Sequence, residues 1–379
     1  MSHQAAWSLL DPNNVTVGDQ NVADSWKVCV IDGVYFGGND YSGSLGARIS
    51  SIFVILFVST AFTLFPVVAT SVKKLRIPEY VYLFARNFGT GVIVATAFVH
   101  LMDPAYGEIG PNTCVGMTGN WAVYSWPPAL ILVTVFFIFI LDLVSAIYVE
   151  RKFGIAKQQD DIIAQAIVRR SAGESEHNHR HDVEEQNLSE QTPSEKETQT
   201  YFDSASSSGS SIVEKDFQSQ ISAFLILEFG VIFHSVMIGI NLGACGPEFK
   251  TLYPVLVFHQ SFEGLGIGSR LSAIPFPHDK RWWKYALCIA YGLTTPICVA
   301  IGLGVRTAYD GNSFNANIVQ GILDSISAGI FLIYTGLVEL PARDFIFNDQ
   351  RSKDLRRLTF SVVCILVGTG IMALLGKWA

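Results

Sequence analysis

Long blocks of apolar residues are the feature that most constrains how this 379-residue chain can fold. Each block is close to the ~20 residues that an α-helix needs to cross the hydrocarbon core of a bilayer. Only 16% of the residues are charged and the mean hydropathy is +0.34, whereas a soluble domain of this length needs more surface charge. An all-α membrane protein is therefore predicted, with eight transmembrane helices near residues 49–69, 80–102, 127–149, 220–243, 252–272, 283–305, 316–340 and 358–376.

Basic residues are concentrated in alternate loops between these spans, and this pattern predicts the orientation of the chain. Short loops rich in Lys and Arg stay on the cytosolic side of a membrane. Because four alternate loops agree, both termini are predicted to lie outside the cell. The cytosolic loops would be those that contain Lys73, Lys74, Arg76, Arg151, Lys152, Arg270, Lys280, Arg281, Lys284, Arg343, Arg351, Lys353, Arg356 and Arg357.

The chain divides into four predicted regions. Residues 1–48 form a polar extracellular tail, and residues 49–149 hold helices 1–3. Residues 150–219 are rich in Ser, Glu and Gln and are predicted to be a largely disordered cytosolic loop. Residues 220–379 hold helices 4–8.

The cytosolic loop contains an alternating cluster of histidines. Two interpretations stay open: a weak metal site in a flexible segment, or a polar linker that happens to contain histidines. The residues concerned are His177, His179 and His181.

The cysteines and the charge pattern exclude several classes of function. Six cysteines occur singly without a CxxC pair, so a thiolate zinc site is not indicated. Cys29, Cys114 and Cys245 all fall on the predicted outer side, where one disulfide or three free thiols are both compatible with the sequence. No basic patch indicates nucleic acid, and no GxxxxGK[ST] motif indicates ATP.

Ionisable residues in the fourth and fifth spans indicate a metal site. Such groups are costly inside a bilayer and usually mark a function. His259 and Glu263 are four residues apart, so a helix places both on one face. His234 lies at mid-span in the preceding helix, and antiparallel helices joined by a short loop pack as neighbours. Two imidazoles and one carboxylate suit Zn²⁺, and suit Fe²⁺ nearly as well.

Further polar residues extend this predicted site into a path. Gln260 and Ser235 adjoin the two histidines and could supply oxygen ligands or supporting hydrogen bonds. The remaining polar residues lie at successive depths along a predicted path from the outside to the inside. They are His100 and Asp103 on the outer path, Asp142 and Glu339 on the exit path, and Glu228 and Asp324 within the spans.

The two motifs His234-Ser235-Val236-Met237-Ile238-Gly239 and His259-Gln260-Ser261-Phe262-Glu263-Gly264 resemble those of the ZIP (Zrt/Irt-like protein) metal transporters. The likeness covers nearly the whole chain and is greatest to yeast plasma-membrane zinc uptake transporters. It implies a 3+2+3 bundle, with the first and last three helices related by pseudosymmetry, and it implies that His234, His259, Glu263 and Gln260 bind metal. Many members carry a Glu at the position of Ile238, so one main site is expected here.

The function predicted from the sequence is import of Zn²⁺, as transported substrate, across the plasma membrane by a multi-pass protein that is not an enzyme. The alternatives are import of Fe²⁺ or Mn²⁺, and an intramembrane metalloenzyme, because two His and one Glu with an open position also describe catalytic zinc. The expected partners are the lipid bilayer and divalent metal ions, with a homodimer as the candidate assembly and no nucleic acid.

Overall fold

A computed structural model describes residues 15–16, 18–39, 41–72, 78–153, 195–332 and 355–377. This part of the chain is all-helical, as predicted. In chain order they are α1 Asp24–Ile31, α2 Leu45–Ser71, α3 Glu79–Ala95, α4 Asp103–Ile109, α5 Trp126–Phe153, α6 Glu195–Ala244, α7 Phe249–Ala273, α8 Trp283–Val305, α9 Phe314–Phe331 and α10 Leu355–Leu375, with a π-helix at Thr96–Met102 between α3 and α4.

Six stretches of the described chain are long and apolar enough to cross a membrane. The six do not include α7 and α9, although the sequence predicts a span at each. Polar residues such as His259 and Glu263 lower the mean hydropathy of α7. Helix α9 ends at Phe331, whereas the predicted span continues to residue 340, outside the described part of the chain. The six stretches are Leu45–Ser71, Glu79–Ile109, Trp126–Val149, Gln220–Ala244, His278–Val305 and Leu355–Leu375.

Helix α6 begins at Glu195, well before the fourth span that the sequence predicts at 220. Its apolar part, Gln220–Ala244, coincides with that span. The predicted loop 150–219 is thus described as helix from residue 195 onward, and residues 154–194 lie outside the described part of the chain.

Helices α6 and α7 carry the candidate site and pack against opposite members of the bundle. α6 packs on α8 and α9, while α7 packs on α2 and α3. The outer pairs are α3 with α10 and α5 with α9, and α2 packs on α8. Exchanging α2, α3 and α5 with α8, α9 and α10, and α6 with α7, maps these helix contacts onto one another.

Glycines allow these helices to approach closely, as their four-residue spacing predicts. A Cβ atom on Gly264 or Gly268 in α7 would meet Thr63 of α2. In α6, a Cβ on Gly239 would meet the Cβ of Cys298, and one on Gly243 would meet the backbone of Leu303. The backbone of α7 therefore lies against α2, and that of α6 against α8.

One end of the bundle, here termed the α1 end, is fastened by several long-range contacts. A disulfide joins Cys29 in α1 to Cys114, while Cys245 remains a free thiol. The side-chain amide of Asn39 donates to the carbonyls of Arg306 and Tyr309. The structure thus settles the pairing that the sequence left open.

Arg48 lies at the α1 end and holds the C-terminal end of α6. Its side chain is fully buried, and its guanidinium donates to the carbonyls of Leu242, Gly243 and Cys245 at distances of 2.5–3.2 Å. These are carbonyls at a helix C-terminus, which have no partner within the helix. A buried cation is satisfied there because the helix dipole places partial negative charge at that end.

Basic residues of two predicted cytosolic loops lie at the opposite end of the bundle. Lys284 donates to the Ser71 hydroxyl at 2.6 Å. Lys280 pairs with Glu214 at 3.0 Å, and Arg357 pairs with Glu79 at 2.6 Å. Basic residues from separate predicted cytosolic loops therefore lie at the same end of the folded bundle.

Candidate metal site

Two buried histidines face each other between α6 and α7. Nε2 of His234 lies 3.3 Å from Nε2 of His259, and the two side chains are 1% and 3% exposed. Zinc binds imidazole nitrogens at about 2.0–2.1 Å in tetrahedral geometry, which places two such ligands about 3.3 Å apart. The ring nitrogens are therefore spaced as a shared cation would require.

Glu263 completes the predicted cluster one turn further along α7. Its Oε2 lies 3.7 Å from Nε2 of His259, slightly beyond the spacing of two zinc ligands. The same oxygen accepts a hydrogen bond from the Tyr291 hydroxyl at 3.3 Å, whereas Oε1 is buried without a hydrogen-bond partner. One carboxylate oxygen is thus held in place and the other is available to a ligand.

Gln260 follows His259 in α7 and forms hydrogen bonds with two neighbouring helices. Its side-chain carbonyl accepts hydrogen bonds from the Tyr291 hydroxyl at 3.1 Å and the Ser59 hydroxyl at 3.3 Å. Tyr291 consequently orients both Gln260 and Glu263. The sequence analysis missed Tyr291, whose hydroxyl is the polar group that α8 contributes here.

His100 is closer to the histidine pair than its predicted place on an outer path implies. Its ring packs edge-on against that of His259, with centroids 5.1 Å apart. The residue lies in the π-helix Thr96–Met102, and such one-turn interruptions of α-helices are frequent at functional sites. A third imidazole therefore borders the pair.

A cavity of about 160 Å³ reaches the histidines from the α1 end. His100, His234 and His259 form its deep part, and Asn241 and Leu252 line it near the turn between α6 and α7. Ile238 also lines this cavity, so an apolar side chain stands where many ZIP proteins have a carboxylate.

Two acidic residues, one from α4 and one from α9, also line the cavity. Asp324 of α9 is 6% exposed and Glu108 of α4 is half-buried, with its Oε2 lacking a hydrogen-bond partner. The sequence singled out Asp324 but missed Glu108, whose place eight residues after His100 in a continuous helical stretch was the available signal. Asp103, predicted for the outer path, is exposed and does not line the cavity.

Ser235 adjoins His234 in sequence, whereas the other remaining predicted residues are not brought together with the histidine pair. Ser235 is buried, and its hydroxyl has no hydrogen-bond partner. Asp142 is exposed on α5 and does not line the cavity. Glu339 and the loop histidines His177, His179 and His181 lie outside the described residues.

The arrangement consists of two facing imidazoles, His234 and His259, with the carboxyl group of Glu263 close by. It does not enclose a position on all sides. Across the described residues, no group of three or more His, Cys, Asp or Glu side chains is already placed to hold a metal ion. A cation between His234 and His259 would draw Glu263 closer by a fraction of an ångström. A site that closes only around its ion suits temporary binding better than permanent binding.

Comparisons with known proteins show the family to which the chain belongs. The sequence model described as ZIP Zinc transporter matches residues 45–376. The chain is 61% identical to zinc-regulated transporter 1 of Saccharomyces cerevisiae over 98% of both chains. It is 39% identical to zinc-regulated transporter 1 of Schizosaccharomyces pombe, over 90% of this chain and 87% of that one. Zinc transporter 9 of Oryza sativa is 32% identical over 90% and 91%. The chain belongs to the ZIP zinc transporter family.

Proposed function

We propose that this protein imports Zn²⁺ across the plasma membrane and that the ion binds between His234 and His259. The observation that carries the proposal is the 3.3 Å separation of the two Nε2 atoms. Glu263 is the third ligand in this proposal, and Gln260 and Ser235 support it from the surrounding shell. Relatives named as zinc-regulated transporters and zinc transporters support zinc as the substrate.

The proposed arrangement is an eight-helix 3+2+3 bundle with both termini outside. Helices α7 and α9 complete the eight spans, because each packs among the six apolar stretches. The Cys29–Cys114 disulfide supports an extracellular α1 end, since disulfides persist in oxidising compartments. Lys280, Lys284 and Arg357 at the opposite end support a cytosolic location there.

In this orientation the cavity opens toward the outside, and the ion approaches through it. Glu108 and Asp324 attract a divalent cation, and His100 borders its route to the pair. Asp103 would add negative charge at the outer surface. An inside-negative potential favours inward movement of a divalent ion by about 4.6 kcal/mol per 100 mV.

The route from the pair to the cytosol is closed by apolar packing. Leu227, Val231, Ile267 and Phe331 belong to one buried cluster on that side. We propose alternating access, in which this cluster separates while the cavity closes. Asp142 and Glu339 remain the predicted exit residues, and the loop histidines remain a predicted accessory metal site.

Uptake of radiolabelled zinc by cells that lack their own zinc importers tests the proposal. At matched surface expression, wild type should accumulate zinc while His259→Ala and Glu263→Ala should not. His278→Ala is the matched control, because His278 is exposed in the turn before α8. If wild type moves iron or manganese instead of zinc, the metal assignment is wrong; if it moves none of the three, import itself is contradicted.

A further inference from the structure

A second buried carboxylate lies beyond the histidine pair. Glu228 of α6 is 8% exposed, and its Oε2 has no hydrogen-bond partner. Its neighbours in α6, Leu227 and Val231, belong to a buried cluster that also contains Ile267 of α7 and Cys288 and Tyr291 of α8. Glu228 therefore faces the interior of the bundle, where α6, α7 and α8 meet.

The depths of these residues place the two carboxylates at nearly one level. Glu228 precedes His234 by six residues, which is about 9 Å along a helix, and Glu263 follows His259 by four, about 6 Å. Helices α6 and α7 are antiparallel, so both displacements run away from the cavity. The two carboxylates thus differ by about 3 Å in depth, on the closed side of the histidines.

One oxygen of each carboxyl group in this pair is buried without a hydrogen-bond partner. Glu263 is fully buried and its Oε1 also lacks a hydrogen-bond partner. The neighbouring side chains Leu227, Val231 and Ile267 are apolar and buried. Two buried carboxylates repel each other, so they are ionised together only when a cation is bound between them and otherwise hold protons.

We infer that Glu228 and Glu263 form a second binding station for the transported divalent cation, on the cytosolic side of His234 and His259. The Tyr291 hydroxyl, 3.3 Å from Oε2 of Glu263, adds a third oxygen. A site of oxygen ligands holds Zn²⁺ less tightly than one with imidazoles, so it can receive the ion and release it. Ile238, where the family resemblance implies a carboxylate, is on the opposite side of the pair, so this station is a different one.

This inference rests on the proposed function and adds one prediction to it. Glu228→Gln keeps the size of the side chain but removes the charge. Purified full-length protein in which His177, His179 and His181 are replaced by Ala, to remove the predicted loop site, should bind two Zn²⁺ ions per chain on titration in detergent, and Glu228→Gln in the same background should bind one. Glu228→Asp, which keeps the carboxylate, should regain the second ion with weaker affinity. Glu248→Gln, at an exposed position before α7, is the matched control and should bind two.

Measurements of zinc uptake distinguish a failure of this inference from a failure of the proposed function. Glu228→Gln should lower the maximal rate about tenfold with less than a twofold change in KM, because the station acts after capture. Two bound ions and a wild-type rate in Glu228→Gln would overturn the inference while leaving import intact. Absence of zinc binding and uptake in wild type would instead overturn the proposed function.

Discussion

Nε2 of His234 and Nε2 of His259 lie 3.3 Å apart on two helices joined only by residues 245–248. The short turn fixes the two helices as antiparallel neighbours, and Arg48 holds the end of the first by its carbonyls. Close glycine contacts hold each helix against its neighbour in the bundle. The distance between the two imidazoles is therefore set by the surrounding packing before any ion arrives.

Arg48→Ala should destabilise the protein strongly. It leaves carbonyls at the end of α6 without their donor and opens a space beneath Phe249, whose ring packs on the guanidinium. Loss of a buried charged hydrogen-bond donor costs about 3 kcal/mol or more. Thermal unfolding in detergent measures the effect, with Lys250→Ala as an exposed control. Equal melting temperatures for the two variants would contradict this role.

Gly268→Ala should lower both stability and zinc uptake. The added methyl group would meet the backbone of Thr63 in α2, so α7 would have to move. Overpacking of this kind costs about 1–3 kcal/mol, and the shift would also displace His259 and Glu263. Gly304→Ala is the control, because nothing lies within 4 Å of its Cβ. If both variants matched wild type in uptake, the close contact of α7 with α2 would be unnecessary for function.

The Cys29–Cys114 disulfide should protect both thiols from a membrane-impermeant maleimide on intact cells. Reduction before labelling should expose them, and Cys29→Ser should lower stability by about 2–4 kcal/mol because the cross-link closes a long loop. Cys364→Ser, which removes a thiol outside the cross-link, is the control. Labelling of Cys29 without reduction would mean that the disulfide is absent from the cell-surface protein.

Glu108→Gln and Asp324→Asn should raise the KM for zinc uptake, each by about tenfold, with a smaller change in maximal rate. These acids line the cavity, so they act on capture of the ion. Asp103→Asn should have a weaker effect because Asp103 is exposed outside the cavity lining. The reverse order of effects would favour the outer path that the sequence alone predicts.

The residues of the candidate site could be predicted from the sequence because the spacings that identify them lie within short stretches of the chain. Four-residue spacing puts His259 and Glu263 on one helical face, and a short turn brings in His234. The same local reasoning predicts the close packing at Gly264 and Gly268. In the structure His234 lies against His259, and α7 approaches α2 closely at Gly264 and Gly268.

The cavity could not be predicted because it depends on how distant helices pack. Glu108 and Asp324 are far apart in sequence, and only the contact of α4 with α9 makes both line one space. His100 reaches His259 because a π-helix shifts its direction relative to α3. Likewise, the sequence left Cys29, Cys114 and Cys245 equivalent, and the fold of α1 decides which two meet.

Zinc K-edge X-ray absorption of the purified protein is the most direct test of the shared ion. Glu228→Gln, loaded with one Zn²⁺ per chain, isolates the histidine site. The account predicts two imidazole ligands at about 2.0–2.1 Å, falling to one when His234→Ala or His259→Ala is added. A zinc ion without imidazole ligands, or with a signal unchanged by both substitutions, would contradict the claim that these two histidines bind it together.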